Sequence, residues 1–498
     1  KSCYSQSSCE IQQTTARNGL LIRVVNRECS MKQFCRLCSI KLSAAHDLQQ
    51  MTLMKKEHID GTVDDKFEAV KESFRRNFSE GWERGGAAFA VYHRGKLEVD
   101  LWGGYADKSC NRLWNEDTIT TIFSCTKSVA AICMAILVDR GLCNYGDKVI
   151  QYWPEFGQNG KTDITIQMIL AHKAGLPYFE PALTLADLTD GLRMATIVEQ
   201  EAPKYPPGTK TAYHPLTYGW LVDQIFCRID PEHRTVGQFF RDEIEAKHHV
   251  DVHIGECAAE EVRVARLTGL NPLLAVREFI YDRKIATIGR RALDPRGYFS
   301  KGLRNMRHFG KVRIILHNCS YRTSNVMLEG VRWCETNVSQ HMVDFVNFIK
   351  GPIKDFTLYN NPETRFAGQP AVNGVGSARG LALVHQLAMD GTLLSNHIRE
   401  KIFQPLFMDE YDHSIGEVQN KGYGFMFTRS PTGSWQIGHM GVGGQIVRFD
   451  PENDLVLCYL TNAFKAGTGE HVFTYNRLQR KVYDIVRQQQ KTSDSTDK

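Results

Sequence analysis

The chain has 498 residues, 42% hydrophobic and 23% charged, which is enough for one large domain or for two to three ordinary ones with a real core. Its net charge of +5 is small for this length and indicates neither a nucleic-acid partner nor a membrane surface. No apolar run approaches the roughly 18 to 20 residues of a membrane span, so no such span is predicted.

The first 60 residues are predicted to be disordered or to form a targeting segment. From Met31 the stretch MKQFCRLCSIKLSAAHD carries lysine and arginine with serine and leucine and has no acid before Asp47. This composition is typical of a mitochondrial presequence; a disordered tail or translated untranslated sequence remains the alternative. The 14 cysteines are irregularly spaced, and Cys35-x-x-Cys38 has no second ligand pair, so we expect reduced thiols without structural zinc. The predicted location is intracellular, either cytoplasmic or mitochondrial.

Regular secondary structure is predicted from about residue 61 to 485. A helical pattern, KFEAVKESFRRNFSEGW, precedes two strand-like runs, and a second pair of such runs precedes a terminal helical pattern. The strand-like runs are 87–93, 96–103, 444–450 and 455–462. Strands near both ends of a largely helical middle predict one antiparallel sheet closed by the chain ends, with a helical insertion. Residues 486–498 are predicted to be a disordered tail.

One part of the middle is unusually basic. Between Arg283 and Arg332 there are twelve lysines or arginines and only two acids, Asp294 and Glu329. This pattern fits a basic rim over a site for acidic substrates, or else a solvated, irregular insertion or a gene-model error extending over about 283–345.

A serine and a lysine stand at the start of a strongly apolar helical run, TIFSCTKSVAAICMAILVDRGL. On a helix, Ser124 and Lys127 lie one turn apart with Cβ atoms roughly 5–6 Å from each other. Free N–H groups at a helix start favour an oxyanion, and a lysine shielded from water has a lowered pKa. The pair suits a nucleophile and its base, although a helix-capping serine beside a surface lysine has the same spacing.

Two distant stretches carry compatible chemistry. PPGTKTAYHPLTYGWL places Tyr213 in a turn before a helical run, where a phenol near an amine can transfer a proton. WQIGHMGVGGQIVRF places His439 and several glycines beside a strand, where substrate backbone could approach closely. ILAHKAGL and NGVGSARGLALV are typical of scaffold around a cleft, and His172 and His214 are interpreted as polar packing partners.

The order of these blocks resembles the serine β-lactamase and penicillin-binding-protein superfamily. The blocks are SCTKS, ILAHKAGL, PPGTKTAYHPLTYGWL, NGVGSARGLA and GHMGVGGQ, over about residues 65–485. The branch is similar to class C β-lactamases, family VIII carboxylesterases and eukaryotic LACTB-type proteins. The resemblance implies an α+β fold of β-lactamase/transpeptidase type, an antiparallel sheet flanked by helices with an inserted mainly helical subdomain.

Site roles follow from the resemblance alone. It implies Ser124 as the acylated nucleophile, Lys127 as its proton acceptor or electrostatic activator, and Tyr213 as the base that protonates the leaving group and activates water. Whether the lysine or the tyrosine acts first stays open. His439 stands where the family has Lys or His.

The strand edge completes the implied site and also departs from the family. Gly441 follows His439 by two positions, and the N–H groups of Val442 and Ser124 would form the oxyanion hole. After the tyrosine, penicillin-active members have x-Asn, whereas this chain has His214-Pro215; their K-T-G is here His-Met-Gly. Both changes remove groups that would hold a β-lactam.

The resulting expectation is a serine hydrolase that forms an acyl-enzyme from an ester or amide, more an esterase or peptidase than a true β-lactamase. A catalytically inactive scaffold of the same fold is the alternative. No metal, organic cofactor or nucleic-acid partner is expected. The expected partner is a small-molecule ester, amide or peptide, and a homo-oligomer stays an open alternative.

Overall fold

An antiparallel sheet of ten strands organises the computed structural model of this chain. The structure describes residues 58–285 apart from Glu256, then 296–298, 300–301 and 352–496. The described residues belong to the compact unit Glu57–Lys498. Residues 1–57 of the predicted targeting segment and most of the basic insertion lie outside the described residues.

Strands from both ends of the chain meet in the middle of this sheet. The spatial order is β1-β3-β2-β13-β12-β11-β10-β9-β8, with β4 paired to β3, and β2 pairs with β13 over Ala87–His93. This topology confirms the predicted sheet closed by the chain ends. The strands are β1 (Ile59–Val63), β2 (Gly86–His93), β3 (Lys96–Asp107), β4 (Arg112–Leu113), β8 (Phe407–Asp412), β9 (Glu417–Gly422), β10 (Phe425–Arg429), β11 (Trp435–Met440), β12 (Ile446–Asp450) and β13 (Leu455–Thr461).

The described residues between β4 and β8 are mainly helical, as predicted, and contribute a small second sheet. Three two-residue strands pair antiparallel in the order β5 (Thr120–Thr121), β7 (Val375–Gly376) and β6 (Val252–His253). The helices are α1 (Glu68–Ser79), α2 (Thr126–Asp139), α3 (Ile166–Leu170), α4 (Leu185–Thr189), α5 (Gly191–Gln200), α6 (Thr217–Ile229), α7 (Val236–Phe240), α8 (Ala246–His248), α9 (Pro272–Tyr281), α10 (Pro362–Phe366), α11 (Ala378–Asp390), α12 (Asn396–Ile402) and α13 (Phe473–Thr496).

Helices cover both faces of the large sheet, and strand β2 shows why. Its alternate residues Ala87, Phe89 and Val91 enter the core formed with α1 and α13. Ala88 and Ala90 enter the opposite core, which contains α2 and α11. Because side chains alternate along a strand, an apolar run with no polar face is stable only between two apolar layers. Ser124 and Lys127 lie on the α2 side of the sheet.

Three element boundaries differ from the sequence prediction. The terminal helix continues beyond residue 485 to Thr496. Residues 486–496 contain no glycine or proline that would interrupt helical hydrogen bonding. Strand β1 begins at Ile59, inside the segment predicted to be unstructured. Helix α2 begins at Thr126, so Ser124 lies in a 3₁₀ turn just before it.

Candidate active site

Ser124 lies in a tight turn between β5 and α2. The preceding residue, Phe123, has φ +44°, a left-handed conformation that costs a non-glycine residue roughly 1–3 kcal/mol. The hydroxyl of Thr126 donates to the carbonyl oxygen of Phe123 at 2.6 Å, and the N–H of Gly374 donates to that hydroxyl at 3.2 Å. The N–H of Ile122 also donates to the carbonyl oxygen of Gly374 at 2.9 Å. The strained turn that presents Ser124 is therefore tied to the neighbouring small sheet.

Lys127 is completely buried beside this serine. Its Nζ lies 3.1 Å from Ser124 Oγ, 2.8 Å from the carbonyl oxygen of Pro215 and 2.9 Å from that of Ala371. No described carboxylate contributes to its electrostatic environment. Burial, opposed only by Cys125, holds the pKa of Lys127 well below the ordinary value of 10.5.

These contacts give the amine a specific orientation once it is neutral. A neutral amine has two N–H bonds and one lone pair, whereas a carbonyl oxygen can only accept a hydrogen bond. The two N–H bonds of Lys127 then serve Pro215 and Ala371, and the lone pair faces the hydroxyl of Ser124. This arrangement can remove the serine proton during attack on a carbonyl carbon.

Tyr213 completes the cluster from the loop before α6. Its buried ring lies 5.0 Å from Lys127 Nζ, measured to the ring centroid. Burial raises its pKa above the ordinary value of 10, and a hydrogen bond with Ser124 acts in the opposite direction. The group is therefore a protonated phenol at neutral pH, suited to donating or relaying a proton. The structure thus brings Ser124, Lys127 and Tyr213 together from distant parts of the chain.

The end of β11 lies against the serine turn. A Cβ atom at Gly441 would lie 2.8 Å from the carbonyl oxygen of Ile122, so only glycine permits this approach. The N–H of Gly441 donates to the carbonyl oxygen of Gln445 at 2.7 Å and closes a turn that contains Val442. Gly443 in the same turn packs on the ring of Phe464, where an added Cβ would lie at 2.7 Å. The predicted residues Gly441 and Val442 are therefore part of this site.

Phe464 contacts both the serine turn and the turn after β11. Its ring contacts the ring of Phe123 edge-on, with centroids 5.6 Å apart, while it also supports Gly443. Tyr359 contacts Phe123 in the same manner at 5.4 Å. Aromatic packing thus fixes the residue before Ser124 and the turn after β11 relative to each other.

The ring of His439 lies beside the ring of Tyr213. Its ring centroid is 5.9 Å from that of Tyr213, and its Nδ1 donates to the carbonyl oxygen of Met440 at 2.6 Å. Burial, followed by the nearby Lys127, holds its pKa well below 6.5. His439 is therefore neutral at neutral pH and supplies no cation to the site.

Comparisons with known proteins identify the family of this chain. Residues 74–481 match the sequence model of the family described as Beta-lactamase. The chain belongs to the Beta-lactamase family. The curated relative Esterase/beta-lactamase LipL of Mycobacterium tuberculosis is 28% identical over 415 residues, covering 81% of this chain and 82% of LipL.

Two solved structures match 86% of the chain and 99% of their own. A family VIII carboxylesterase aligns with TM-score 0.66 at 24% identity, and a penicillin-binding-protein homologue from Caulobacter crescentus aligns with TM-score 0.63 at 26% identity. These matches confirm the predicted family and the α+β fold of β-lactamase/transpeptidase type. The roles of the individual site residues remain predictions.

An ion pair that was not predicted from the sequence lies behind the tyrosine of this Beta-lactamase family member. Asp412 is buried and accepts from the backbone N–H of Tyr213 at 3.0 Å and from Lys421 Nζ at 2.5 Å. The backbone N–H groups of Ser414 and Ile415 donate to the same carboxylate. Nothing in the sequence indicates that Asp412 and Lys421 support Tyr213, because both lie about 200 residues further along the chain.

The two histidines interpreted as packing partners support the tyrosine loop. The backbone N–H of His214 donates to Nδ1 of His172 at 3.1 Å, and the ring of His172 lies 4.6 Å from that of Tyr213. His214 in turn accepts from the N–H of Leu176 at 3.1 Å. Burial lowers the pKa of both imidazoles, that of His214 to about 4, so this support is uncharged at neutral pH.

Three further observations concern the described residues only. No group of three or more His, Cys, Asp or Glu side chains in them is arranged to hold a metal ion. None of their helices combines the length and apolar character needed to cross a membrane. Their seven cysteines are unpaired, including Cys125 next to the serine and the exposed Cys110.

Proposed function

We propose that this chain is a serine hydrolase that transfers the acyl group of an ester or amide to Ser124 and then releases it to water. One observation carries the proposal: a buried amine with only neutral acceptors, Lys127, lies 3.1 Å from the hydroxyl of Ser124 and 5.0 Å from the ring centroid of Tyr213. Membership of the Beta-lactamase family supports it.

In the acylation step, Lys127 accepts the proton of Ser124 as Oγ bonds to the substrate carbonyl carbon. The bond between that carbon and the leaving group then breaks, and the leaving oxygen or nitrogen takes the proton of the Tyr213 phenol. The Lys127 ammonium returns a proton to Tyr213. Both groups regain their starting states and Ser124 carries the acyl group.

Deacylation reverses these transfers with water in place of the leaving group. Water loses a proton to the Tyr213 and Lys127 pair and bonds to the acyl carbon, and Ser124 leaves with a proton. In both steps the substrate oxygen would carry negative charge between the N–H groups of Ser124 and Val442. The close contact between Gly441 and Ile122 keeps these two backbone segments adjacent.

The site favours ester or amide substrates over β-lactams. A β-lactam carboxylate needs a cation at the strand edge, and His439 is neutral because burial lowers its pKa. Pro215 offers a carbonyl oxygen to Lys127 and has no side-chain amide to hold a substrate. Family VIII carboxylesterase and Esterase/beta-lactamase are the names of two similar proteins, and we extend esterase activity to this chain as part of the proposal.

A serine-reactive fluorophosphonate tests the nucleophile directly. Wild-type protein should be labelled and Ser124→Ala should not. Ser128→Ala is a matched control, because Ser128 is also buried and lies in the first turn of α2, four residues after Ser124. Equal labelling of wild type and Ser124→Ala would overturn the proposal.

Turnover distinguishes the enzyme from an inactive scaffold of the same fold. Wild type should hydrolyse p-nitrophenyl acetate faster than a D-aminoacyl peptide or a β-lactam, whereas a peptidase would reverse the first comparison. No labelling and no turnover of any of these compounds would favour the inactive scaffold. A homo-oligomer and a cytoplasmic or mitochondrial location remain predictions.

A further inference from the structure

Tyr213 lies on a long loop between α5 and α6. The structure describes all of this loop, residues 201–216, and it contains no helix or strand that would fix its backbone through a regular series of hydrogen bonds. A proton donor must lie within about 2.6–3.2 Å of the atom that it protonates. The contacts that hold this loop therefore decide whether the phenol can act on a substrate.

Two consecutive N–H groups of the loop donate to side chains. The N–H of Tyr213 donates to Oδ1 of Asp412 at 3.0 Å, and the N–H of His214 donates to Nδ1 of His172 at 3.1 Å. Burial holds the pKa of His172 well below 6.5, so this acceptor is neutral. A hydrogen bond to a charged acceptor is roughly twice as strong as one between neutral groups. Asp412 therefore provides the stronger restraint, at the residue that carries the phenol.

The two oxygens of the Asp412 carboxylate have different partners. Oδ1 accepts from the N–H groups of Tyr213, Ser414 and Ile415 at 3.0, 2.8 and 2.9 Å, respectively. Oδ2 accepts from Nζ of Lys421 at 2.5 Å. Asp412 is fully buried, and Lys421 is 2% exposed. One oxygen thus joins the loop to the turn after β8, while the other compensates the buried charge.

The hairpin formed by β8 and β9 holds the same part of the loop at two further points. The N–H of His413 donates to the carbonyl oxygen of Thr211 at 2.9 Å. The hydroxyl of Thr211 donates to the carboxylate of Glu410, which also accepts from Nζ of Lys173 at 2.6 Å. Residues 211–213 are therefore attached to an edge of the large sheet, and Asp412 is the attachment nearest to the phenol.

We propose that Asp412 is a positioning residue for the proton donor: through the N–H of Tyr213 it sets the distance from the phenol to the leaving group of the substrate. This inference rests on the proposed function and adds to it a residue that does not touch the substrate. The phenol acts when its O–H bond breaks and the leaving oxygen takes the proton. The contribution of Asp412 should therefore increase with the basicity of the leaving group.

Two acetate esters that differ only in the leaving group test this inference. p-Nitrophenyl acetate releases a weak base that can leave without a proton, whereas ethyl acetate releases a strong base that needs one. The value of kcat/KM covers the steps up to departure of the leaving group, so deacylation does not affect the comparison. The ratio of the two kcat/KM values is also independent of the fraction of folded protein. Tyr213→Phe removes the donor and should lower this ratio, ethyl over p-nitrophenyl, by about a hundredfold.

Two double variants separate the oxygen of Asp412 from its charge. Asp412→Asn with Lys421→Met removes both charges and keeps Oδ1 as an acceptor, whereas Asp412→Leu with Lys421→Met also removes the acceptor. Replacing both members of a buried ion pair leaves no unpaired charge, so neither variant has that cost. The leucine variant should lower the ratio about tenfold, since a displacement of roughly 1 Å can cost about a hundredfold in rate. The asparagine variant should keep the wild-type ratio. Equal losses with both esters in the leucine variant would indicate a structural role only and would overturn the inference.

Asp412→Glu is the second test, because it retains the ion pair with Lys421. Its extra CH₂ group moves the carboxylate oxygens relative to the N–H of Tyr213, so the ratio should fall here as well. An unchanged ratio would overturn the inference even where the leucine variant does not fold. Wild type that hydrolyses p-nitrophenyl acetate but not ethyl acetate would also overturn it, while the proposed hydrolase would stand. Failure of both esters, with no labelling of Ser124, would instead count against the proposed function.

Discussion

Two buried lysines near Tyr213 have contrasting surroundings. Lys127 contacts a hydroxyl and two carbonyl oxygens, whereas Lys421 lies 2.5 Å from the buried carboxylate of Asp412. A third buried lysine, Lys465, resembles Lys421 because it pairs with Glu83 at 2.9 Å. Both carboxylate-paired lysines have a compensated charge, and Lys127 does not. Burial alone therefore does not prepare an amine for catalysis. Lys127 combines burial, the lack of a carboxylate partner and a neighbouring hydroxyl, whereas Lys161, buried against the carbonyl oxygens of Glu199 and Glu201, has no hydroxyl among its described contacts.

The strongest test of this contrast removes the unpaired amine. Lys127→Met should lower kcat by roughly a thousandfold, because Ser124 loses the group that accepts its proton. The fold should survive the change with reduced stability: methionine fills a similar volume and no partner charge is left behind, but the carbonyl oxygens of Pro215 and Ala371 lose the donor that Lys127 supplies. Ester turnover and thermal unfolding measure the two effects. Ester turnover at the wild-type rate would contradict the assignment. A variant that is less stable, but whose folded fraction keeps the wild-type kcat, would contradict it as well.

Removing a paired amine should have the opposite effect. Lys421→Met leaves Asp412 buried and uncompensated, which should lower the free energy of unfolding by about 3–5 kcal/mol. Urea unfolding measures this loss. Lys148→Met is the matched control, because Lys148 also pairs with a carboxylate, Asp163, but both side chains are largely exposed. The control should change stability by less than about 1 kcal/mol. Equal losses in the two variants would mean that burial of the pair does not matter.

The same residues show which parts of the fold and of the candidate site could be predicted from the sequence. Local patterns sufficed for strands such as β2, whose continuous apolar run requires two covered faces, and for the spacing of Ser124 and Lys127. The order of the blocks predicted that Tyr213 and the end of β11 would join them. The contacts of Lys127 with the carbonyl oxygens of Pro215 and Ala371 could not be predicted, because every residue has a backbone carbonyl group. The pairing of Asp412 with Lys421 depended on the register of a distant hairpin.

The pH dependence of stability gives a smaller but more direct measure of the unpaired amine. The folded-state pKa of Lys127 lies well below its unfolded value of about 10.5, since burial disfavours the ammonium. Between those two values the unfolded chain binds a proton that the folded chain does not. Raising the pH in this window therefore increases the free energy of unfolding, by at most about 1.4 kcal/mol per pH unit.

Comparison with Lys127→Met isolates this contribution, because other groups titrate in both proteins. Urea unfolding between pH 7.5 and 9.5 avoids the range in which the buried histidines His172, His214 and His439 titrate, as burial lowers their pKa values. Burial raises the pKa of Tyr213, so the phenol also stays protonated there. The stability of wild type relative to the variant should rise with pH across this interval. Parallel curves would mean that Lys127 keeps its ordinary affinity for protons, and the contrast with Lys421 would lose its physical basis.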